Sequence, residues 1–79
     1  MSPKFPAVTS DDVIRVITRI GFRFKRQAGT SHAIYFRESD KRRTTIPEHP
    51  GKTIKRKTLK SILSDIGLTV EEFSELLHK

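Results

Sequence analysis

Hydrophobic residues first recur at helical spacing near the start of the chain. Apolar side chains three or four positions apart form one face of a helix, and here they are Val13, Ile14, Ile17 and Ile20. Thr9 and Ser10, before this run, are residue types that cap a helix N-terminus, and Gly21 after it is a typical stop. The pattern predicts a helix that begins at residues 9–10 and ends before Gly21, preceded by an extended arm over residues 1–8.

After this helix the apolar period changes from about 3.6 to about 2. Over residues 22–27 aromatic and cationic side chains alternate, which predicts a strand with one face toward the core and one toward solvent. Residues 32–37 and 42–47 also have strand character, and polar turns at 28–31 and 38–41 separate the three segments. Together they predict an antiparallel meander with basic residues on its exposed face.

Helical spacing returns in the last third of the chain, after a loop over residues 48–53. The apolar face of this second helix consists of Leu59, Ile62, Leu63 and Ile66. Thr69 and Glu72 have the spacing of a capping box, which predicts a C-terminal helix over residues 69–79 that either covers the core or forms a partner surface. The predicted fold class is α+β: a single domain over residues 9–68 with helices on one face of a three-stranded antiparallel sheet, plus this short helix.

Composition restricts the chemistry that the chain can perform. A chain of 79 residues forms one domain with a small core. The chain has no cysteine, so disulfides and thiolate metal sites are excluded. Its three histidines are scattered and no carboxylates cluster, so we predict that the protein binds no metal and no cofactor. No apolar run reaches the roughly 18 residues of a membrane span, and the N-terminus lacks the apolar core of a signal peptide. We therefore expect a soluble, cytoplasmic protein.

Positive charge is concentrated in the middle of the chain. The formal net charge is +7, and residues 22–60 alone carry twelve Lys or Arg against three acids. This density predicts a polyanionic partner, either nucleic acid or an acidic protein, with an ordinary solvated surface as the alternative. Lys55, Arg56 and Lys57 stand at the predicted start of the second helix, where cations oppose the helix dipole. A helix start of this kind suits a bound phosphate.

One turn carries the main candidate for catalysis. Gly29, Thr30 and Ser31 are residues that form a tight and open turn, and His32 follows them directly. An imidazole, with an ordinary pKa near about 6.5, can accept or donate a proton at neutral pH without a metal. A titratable base among many Lys and Arg side chains predicts chemistry on a phosphate group.

Six short segments carry a family resemblance. They are Ile-Gly-Phe at 20–22, Arg-Gln-Ala-Gly-Thr-Ser-His at 26–32, Arg-Arg-Thr-Thr-Ile-Pro at 42–47, His-Pro-Gly-Lys at 49–52, Thr-Leu-Lys-Ser-Ile-Leu at 58–63 and Gly-Leu at 67–68. In this unbroken order, from about residue 12 to residue 68, they resemble the HicA-type (YcfA-like) toxins, the small mRNA interferases of HicA–HicB toxin–antitoxin pairs.

The resemblance implies a fold similar to a double-stranded RNA-binding domain and ribonuclease activity that needs no metal. It also implies mRNA as substrate, neutralisation by a HicB-type acidic antitoxin that covers the site, and a catalytic role for His32. The common family pattern has Gly, Ser and His in succession and often a second His. Here Thr30 intervenes and Ala33 follows, so the turn is one residue longer than that pattern or shifted in register.

RNA cleavage by the 2′-hydroxyl requires a base, an acid for the leaving oxygen and cations around the phosphorus. His32 is the predicted general base, and His49 is a candidate for the acid, although a loop histidine can also serve only local hydrogen bonding. The alternative for His32 is a half-buried strand histidine, because it shares strand parity with Ile34 and Phe36. Ser31 does not pair with His32 as a nucleophile, since neighbours in a strand point to opposite faces.

Cations near these segments are the predicted RNA contacts. They are Arg23, Lys25, Arg26, Arg42, Arg43, Lys52, Lys55, Arg56 and Lys57. Each of them is alternatively a plain surface residue. Tyr35 is a candidate for stacking on a base, and so is an exposed Phe36, although core packing is the stronger expectation for Phe36. The alternatives to a ribonuclease are a noncatalytic RNA-binding module of the same fold and a toxin relic that binds its antitoxin but no longer cleaves RNA.

Overall fold

The predicted order of helices and strands is confirmed by a computed structural model, which describes residues 6–49 and 51–79. Its elements are α1 (Ser10–Arg19), β1 (Arg23–Ala28), β2 (His32–Arg37), β3 (Arg42–Pro47), α2 (Arg56–Ile66) and α3 (Val70–Leu77). A helix, a three-stranded antiparallel sheet and two helices make the domain α+β, as the sequence predicts.

Strand β2 lies in the centre of the sheet, with β1 and β3 antiparallel on either side. His32 begins β2 and is paired with Ala28 of β1 on one side and Pro47 of β3 on the other. The ladder continues one step further, because the backbone N–H of Glu48 donates to the carbonyl of Ser31 with an N···O distance of 2.6 Å. Both neighbouring strands therefore hold His32 at one end of the sheet.

The helices cover only one face of this sheet. Ala33 and its cross-strand partner Ile46 are buried on the covered face, as is Thr44, which is opposite Tyr35. Side chains alternate along a strand, so His32 and the other residues of its parity belong to the opposite, uncovered face. His32 is exposed there. The alternative that makes His32 a half-buried core histidine is therefore wrong, because its parity is that of the uncovered face.

The helix boundaries follow from local capping, as predicted. The Thr9 hydroxyl accepts from the N–H of Asp12 at 3.3 Å, and the Asp12 carboxylate accepts from the N–H of Thr9 at 3.0 Å. This reciprocal pair satisfies two N–H groups that a helix start leaves without partners. Gly21, directly after the C-cap, has a φ of 102°, a conformation that side chains rarely adopt.

The segment before α1 is tied into the domain. Residues 1–5 of the predicted arm lie outside the described residues, and within the remainder Val8 is buried in the core. The backbone N–H of Ile54 donates to the carbonyl of Val8 at 2.8 Å, and Thr9 forms an isolated bridge with Thr53. These contacts fix the connection that leads into α2.

The C-terminal helix covers the core, one of the two roles that the sequence predicts for it. Phe73 of α3 is completely buried, and Thr69 and Glu72 form the predicted capping box. At the other end of α3, the guanidinium groups of Arg15 and Arg19 in α1 donate to terminal carbonyls at 3.2 to 3.4 Å. Cations at a helix C-terminus stabilise it, so α1 holds α3 by charge as well as by apolar packing.

Strand β1 departs from the predicted alternation. Phe22, just before the strand, is fully buried, whereas Phe24 is 56% exposed. The prediction of a core-facing side is therefore wrong for Phe24, because β1 is an edge strand that has little contact with the helices. The Phe24 ring instead meets the ring of Tyr35 edge to face, with 5.8 Å between centroids. A register shift between Phe24 and Arg26 further disturbs the alternation.

Candidate functional site

The predicted turn before His32 is formed as expected. Gly29, Thr30 and Ser31 connect β1 and β2, and the pair Ala28 and His32 closes the loop. Gly29 has a φ of 71°, and nothing lies within 4 Å of the place a Cβ would occupy. A glycine meets this backbone requirement without strain and leaves the turn open on its outer side. His32 is therefore exposed directly beside an unobstructed turn.

His32 lines an open cleft of about 520 Å³ at this end of the sheet. The sheet, the start of α1, the connection after β3 and the start of α2 all contribute to its walls. The lining residues are Ser10, His32, Thr45, Pro47, His49, Lys52, Thr53, Ile54, Lys55 and Thr58. The fold thus brings together both candidate catalytic histidines and two of the predicted RNA-binding lysines.

Backbone contacts hold these walls in place. The Ser10 hydroxyl donates to the carbonyl of Pro47 and so joins the start of α1 to the end of β3. The backbone N–H of Lys52 donates to the carbonyl of His49 at 3.1 Å, which closes the turn that carries both side chains. Pro50, within that predicted turn, lies outside the described residues. A main-chain hydrogen bond therefore holds His49 and Lys52 close together.

The start of α2 gives the cleft its positive electrostatics. Lys55 is the N-cap of this helix, makes no side-chain capping hydrogen bond, and is followed by a first turn with no acid. The first N–H groups of a helix and its dipole both favour an anion. Because Lys55 and Thr58 line the cleft together with Lys52, this wall is suited to a phosphate group.

The other predicted RNA contacts lie outside the cleft lining. Arg23, Lys25 and Arg26 belong to the edge strand β1, and Arg43 is exposed on β3. Arg56 and Lys57 are exposed in the first turn of α2, next to the cleft. Of the nine predicted contacts, two, Lys52 and Lys55, line the cleft.

Arg42 has a different environment from the other candidates. Its guanidinium lies 3.2 Å from the Asp40 carboxylate and donates at 3.1 Å to the carbonyl of Asp65 near the end of α2. It also packs beside Gly67, where an added Cβ would come within 3.1 Å of the guanidinium carbon. At five residues from Pro47, Arg42 stands roughly 17 Å along β3 from the cleft end. The contacts make Arg42 a structural link between the sheet and α2.

Close ion pairing perturbs a carboxylate at that far end of the sheet. The Arg37 guanidinium hydrogen-bonds the Asp40 carboxylate at 2.7 and 3.0 Å and holds the pKa of Asp40 at about 2. Burial raises the pKa of Tyr35, and the nearby carboxylates of Glu48 and Asp11 raise it further. Arg37, Asp40 and Tyr35 do not line the cleft.

Sequence reasoning missed the hydroxyl groups of the cleft. Ser10, Thr45 and Thr58 come from three different elements, and all of them line the cleft. Ser10 carried only a capping signal, and Thr45 and Thr58 carried no chemical motif. The register between β2 and β3 places Thr45 near His32, because Thr45 is opposite Ile34. A local sequence pattern does not give this register, since it joins residues that are far apart in the chain.

Two further features bear on the class of protein. Within residues 6–49 and 51–79 no group of three or more His, Cys, Asp and Glu side chains is arranged to hold a metal ion. None of the described helices combines the length and the apolar character needed to cross a bilayer.

Comparison with known families agrees with the fold and the cleft. The family model described as HicA toxin of bacterial toxin–antitoxin systems matches residues 10–68, which include α1, all three strands and α2. A search of curated proteins finds no match for the chain. The matched region holds every residue of the cleft lining and makes up well over half of the chain. The chain therefore belongs to the HicA toxin family of bacterial toxin–antitoxin systems.

Proposed function

We propose that this HicA toxin is an endoribonuclease that cleaves mRNA and uses His32 as the general base. The observation that carries the proposal is the common cleft of His32, His49, Lys52 and Lys55. This cleft combines two groups able to transfer protons with a cationic wall at a helix N-terminus. Such a combination matches the needs of an internal displacement at a phosphodiester.

The proposed reaction uses the nucleophile that RNA carries. His32 takes the proton of the ribose 2′-hydroxyl as the 2′-oxygen forms a bond to phosphorus and the bond from phosphorus to the 5′-oxygen breaks. The 5′-oxygen leaves with a proton from an acid, for which His49 is the candidate in the cleft. The products are a 2′,3′-cyclic phosphate and a 5′-hydroxyl. Lys52, Lys55 and the α2 N-terminus offset the charge that develops on the phosphorus-bound oxygens.

The remaining parts of the proposal concern metal and partners. Since the cleft supplies a base, an acid candidate and cations from side chains, the reaction as proposed does not require a metal ion. The antitoxin of the pair is proposed to be an acidic, HicB-type protein, because the formal net charge of +7 favours an acidic inhibitor. The proposed cellular location is the cytoplasm, where mRNA is found.

The test compares wild type with His32→Ala on single-stranded RNA in the presence of EDTA. Loss of the general base is expected to lower the cleavage rate by roughly 10²- to 10⁴-fold, with RNA affinity nearly unchanged. His78→Ala is the matched control, because His78 is an exposed histidine at the C-cap of α3 and does not line the cleft. A cyclic phosphate terminus, detected by mass spectrometry, identifies the mechanism.

Each other outcome assigns a different function. Equal cleavage by wild type and His32→Ala would overturn the role of His32. RNA binding without cleavage by either protein would indicate a noncatalytic RNA-binding module. Antitoxin binding without RNA binding or cleavage would indicate a toxin relic.

A further inference from the structure

The uncovered face of the sheet, called the open face below, is unlike the covered one. Its aromatic residue is Phe36 of β2, which shares the parity of His32. Cations surround this ring on the neighbouring strand and in the hairpin between β2 and β3. The open face includes Arg23, Arg26, His32, Ile34, Phe36, Arg43 and Thr45, with Lys25 and Lys41 placed against Phe36.

Two ammonium groups lie near the ring of Phe36. The Nζ of Lys25 is 4.8 Å from the ring centroid, and the Nζ of Lys41 is 6.0 Å from it. The ring is partly exposed, contrary to the expectation that Phe36 packs in the core. An aromatic face beside cations can stack on a nucleobase while the cations contact the adjoining phosphates. Glu38 is the nearby acid, and it forms an ion pair with Lys41.

The open face leads directly into the cleft. His32 and Thr45 line the cleft and also lie on the open face. From His32, the same face of β2 continues through Ile34 to Phe36, four residues and therefore roughly 13 Å away. Arg43 runs alongside, since it is the cross-strand partner of Phe36. A strand of nucleic acid seated in the cleft can thus continue over Phe36 without crossing an edge of the sheet.

We propose that the open face binds the single-stranded RNA segment on one side of the scissile phosphate, and that Phe36 stacks on a base of that segment. This inference rests on the proposed ribonuclease function and adds a binding subsite for its RNA substrate. The substrate is single-stranded because a base offers its face to an aromatic ring only when it is unpaired and unstacked.

Charge and apolar exposure favour RNA over a protein as the occupant. A protein interface has an apolar or aromatic core within a polar rim. Among the described residues the exposed large hydrophobic side chain is Phe24. Phe24 is the cross-strand partner of Tyr35 and contacts its ring, so it belongs to the covered face and not to the open face. The open face instead distributes single cations around one ring, an arrangement typical of grooves that follow a nucleic acid backbone.

The experiment measures binding apart from cleavage. Fluorescence anisotropy with labelled oligo(A), alone and annealed to oligo(U), is recorded for proteins that carry His32→Ala. Phe36→Leu, which keeps an apolar side chain, is expected to weaken oligo(A) binding about tenfold, since stacking on one aromatic ring has roughly that value. Phe36→Tyr is expected to restore it. Phe24→Leu is the matched control on the other face and is expected to leave the oligo(A) affinity unchanged. Phe36→Leu is also expected to leave the affinity for the duplex RNA unchanged.

A second variant keeps the test independent of the ring's packing. Lys25→Gln leaves Phe36 in place and is expected to lower the magnitude of the log–log salt slope for oligo(A) by about 0.7, the value for one phosphate contact on a single strand. Unchanged oligo(A) affinity in folded Phe36→Leu would overturn the subsite. The same result combined with loss of antitoxin binding would assign the open face to the protein partner. Failure of wild type to cleave RNA, with these binding losses intact, would overturn the nuclease and leave the subsite standing.

Discussion

The two ends of the sheet are both rich in cations, yet they use them in opposite ways. Three of the four ion pairs among the described residues lie at the hairpin end, where β2 meets β3, and none includes a residue of the cleft lining. At the hairpin end Arg37 and Arg42 are bound to Asp40 and to backbone carbonyls. At the cleft end Lys52 and Lys55 line open space at a helix N-terminus.

The comparison shows that residue type does not decide whether a cation serves stability or ligand binding. A carboxylate or a helix C-terminus within reach makes an arginine structural, because its donors are already satisfied. A helix N-terminus makes a lysine unfavourable for the isolated fold and favourable for a bound anion. Substitutions at the two ends should therefore separate stability from activity, and four of them test this in order of decreasing effect.

The largest effect is expected for His49→Gln at the cleft end. If His49 is the general acid, the cleavage rate falls by about 10²-fold or more, and the descending limb of the pH–rate profile is lost. Single-turnover kinetics across pH measure both, with His78→Gln as the control. An unchanged rate and profile would restrict His49 to local hydrogen bonding.

Lys55→Ser is expected to change stability and RNA binding in opposite directions. Ser is a preferred N-cap and Lys55 has extended N-cap backbone angles, so the free energy of unfolding should rise by about 1 kcal/mol. Loss of the charge should weaken RNA binding and lower the magnitude of the salt slope by about 0.7. Urea unfolding and anisotropy titrations test the pair of effects, and a protein that is more stable with undiminished RNA affinity would contradict a phosphate site at α2.

Arg42→Ala should give the reverse result at the hairpin end. It removes a cation from the C-terminus of α2, which is expected to lower the free energy of unfolding by about 0.3 to 1 kcal/mol, and RNA affinity should stay unchanged. Arg43→Ala is the neighbouring control, since Arg43 lies on the open face and should lose affinity instead. Weakened RNA binding by folded Arg42→Ala would place Arg42 among the RNA contacts after all.

The smallest effect concerns the pH dependence of stability at the same end. The folded-state pKa of Asp40 is about 2, below its ordinary value of 3.8, so the charged carboxylate stabilises the fold above pH 3.8 and that contribution is lost as the pH falls toward 2. Since Asp40 is exposed, the contribution is small. Urea unfolding should show a shallower loss of stability over this interval for Asp40→Asn than for wild type, and parallel curves would contradict the Arg37–Asp40 link.

The sequence by itself determined the elements and the identity of the main candidates. Helix caps such as Thr9 with Asp12, and the strand character of residues 32–37, depend on groups within a few residues of one another, so local pattern suffices. His32 was recognisable because a glycine-containing turn precedes an imidazole. The match of residues 10–68 to the HicA toxin family agrees with this local information.

Only the tertiary structure decided which face of each strand is covered and which distant side chains meet. Strand parity groups His32 with Phe36 but does not say which side the helices take, and Phe24 is exposed because β1 is an edge strand with little contact to the helices. Arg42 became structural through Asp65, and Ser10 met Pro47 across the fold. These contacts join residues more than twenty positions apart, and their geometry arises from packing of the whole core, which no local pattern encodes.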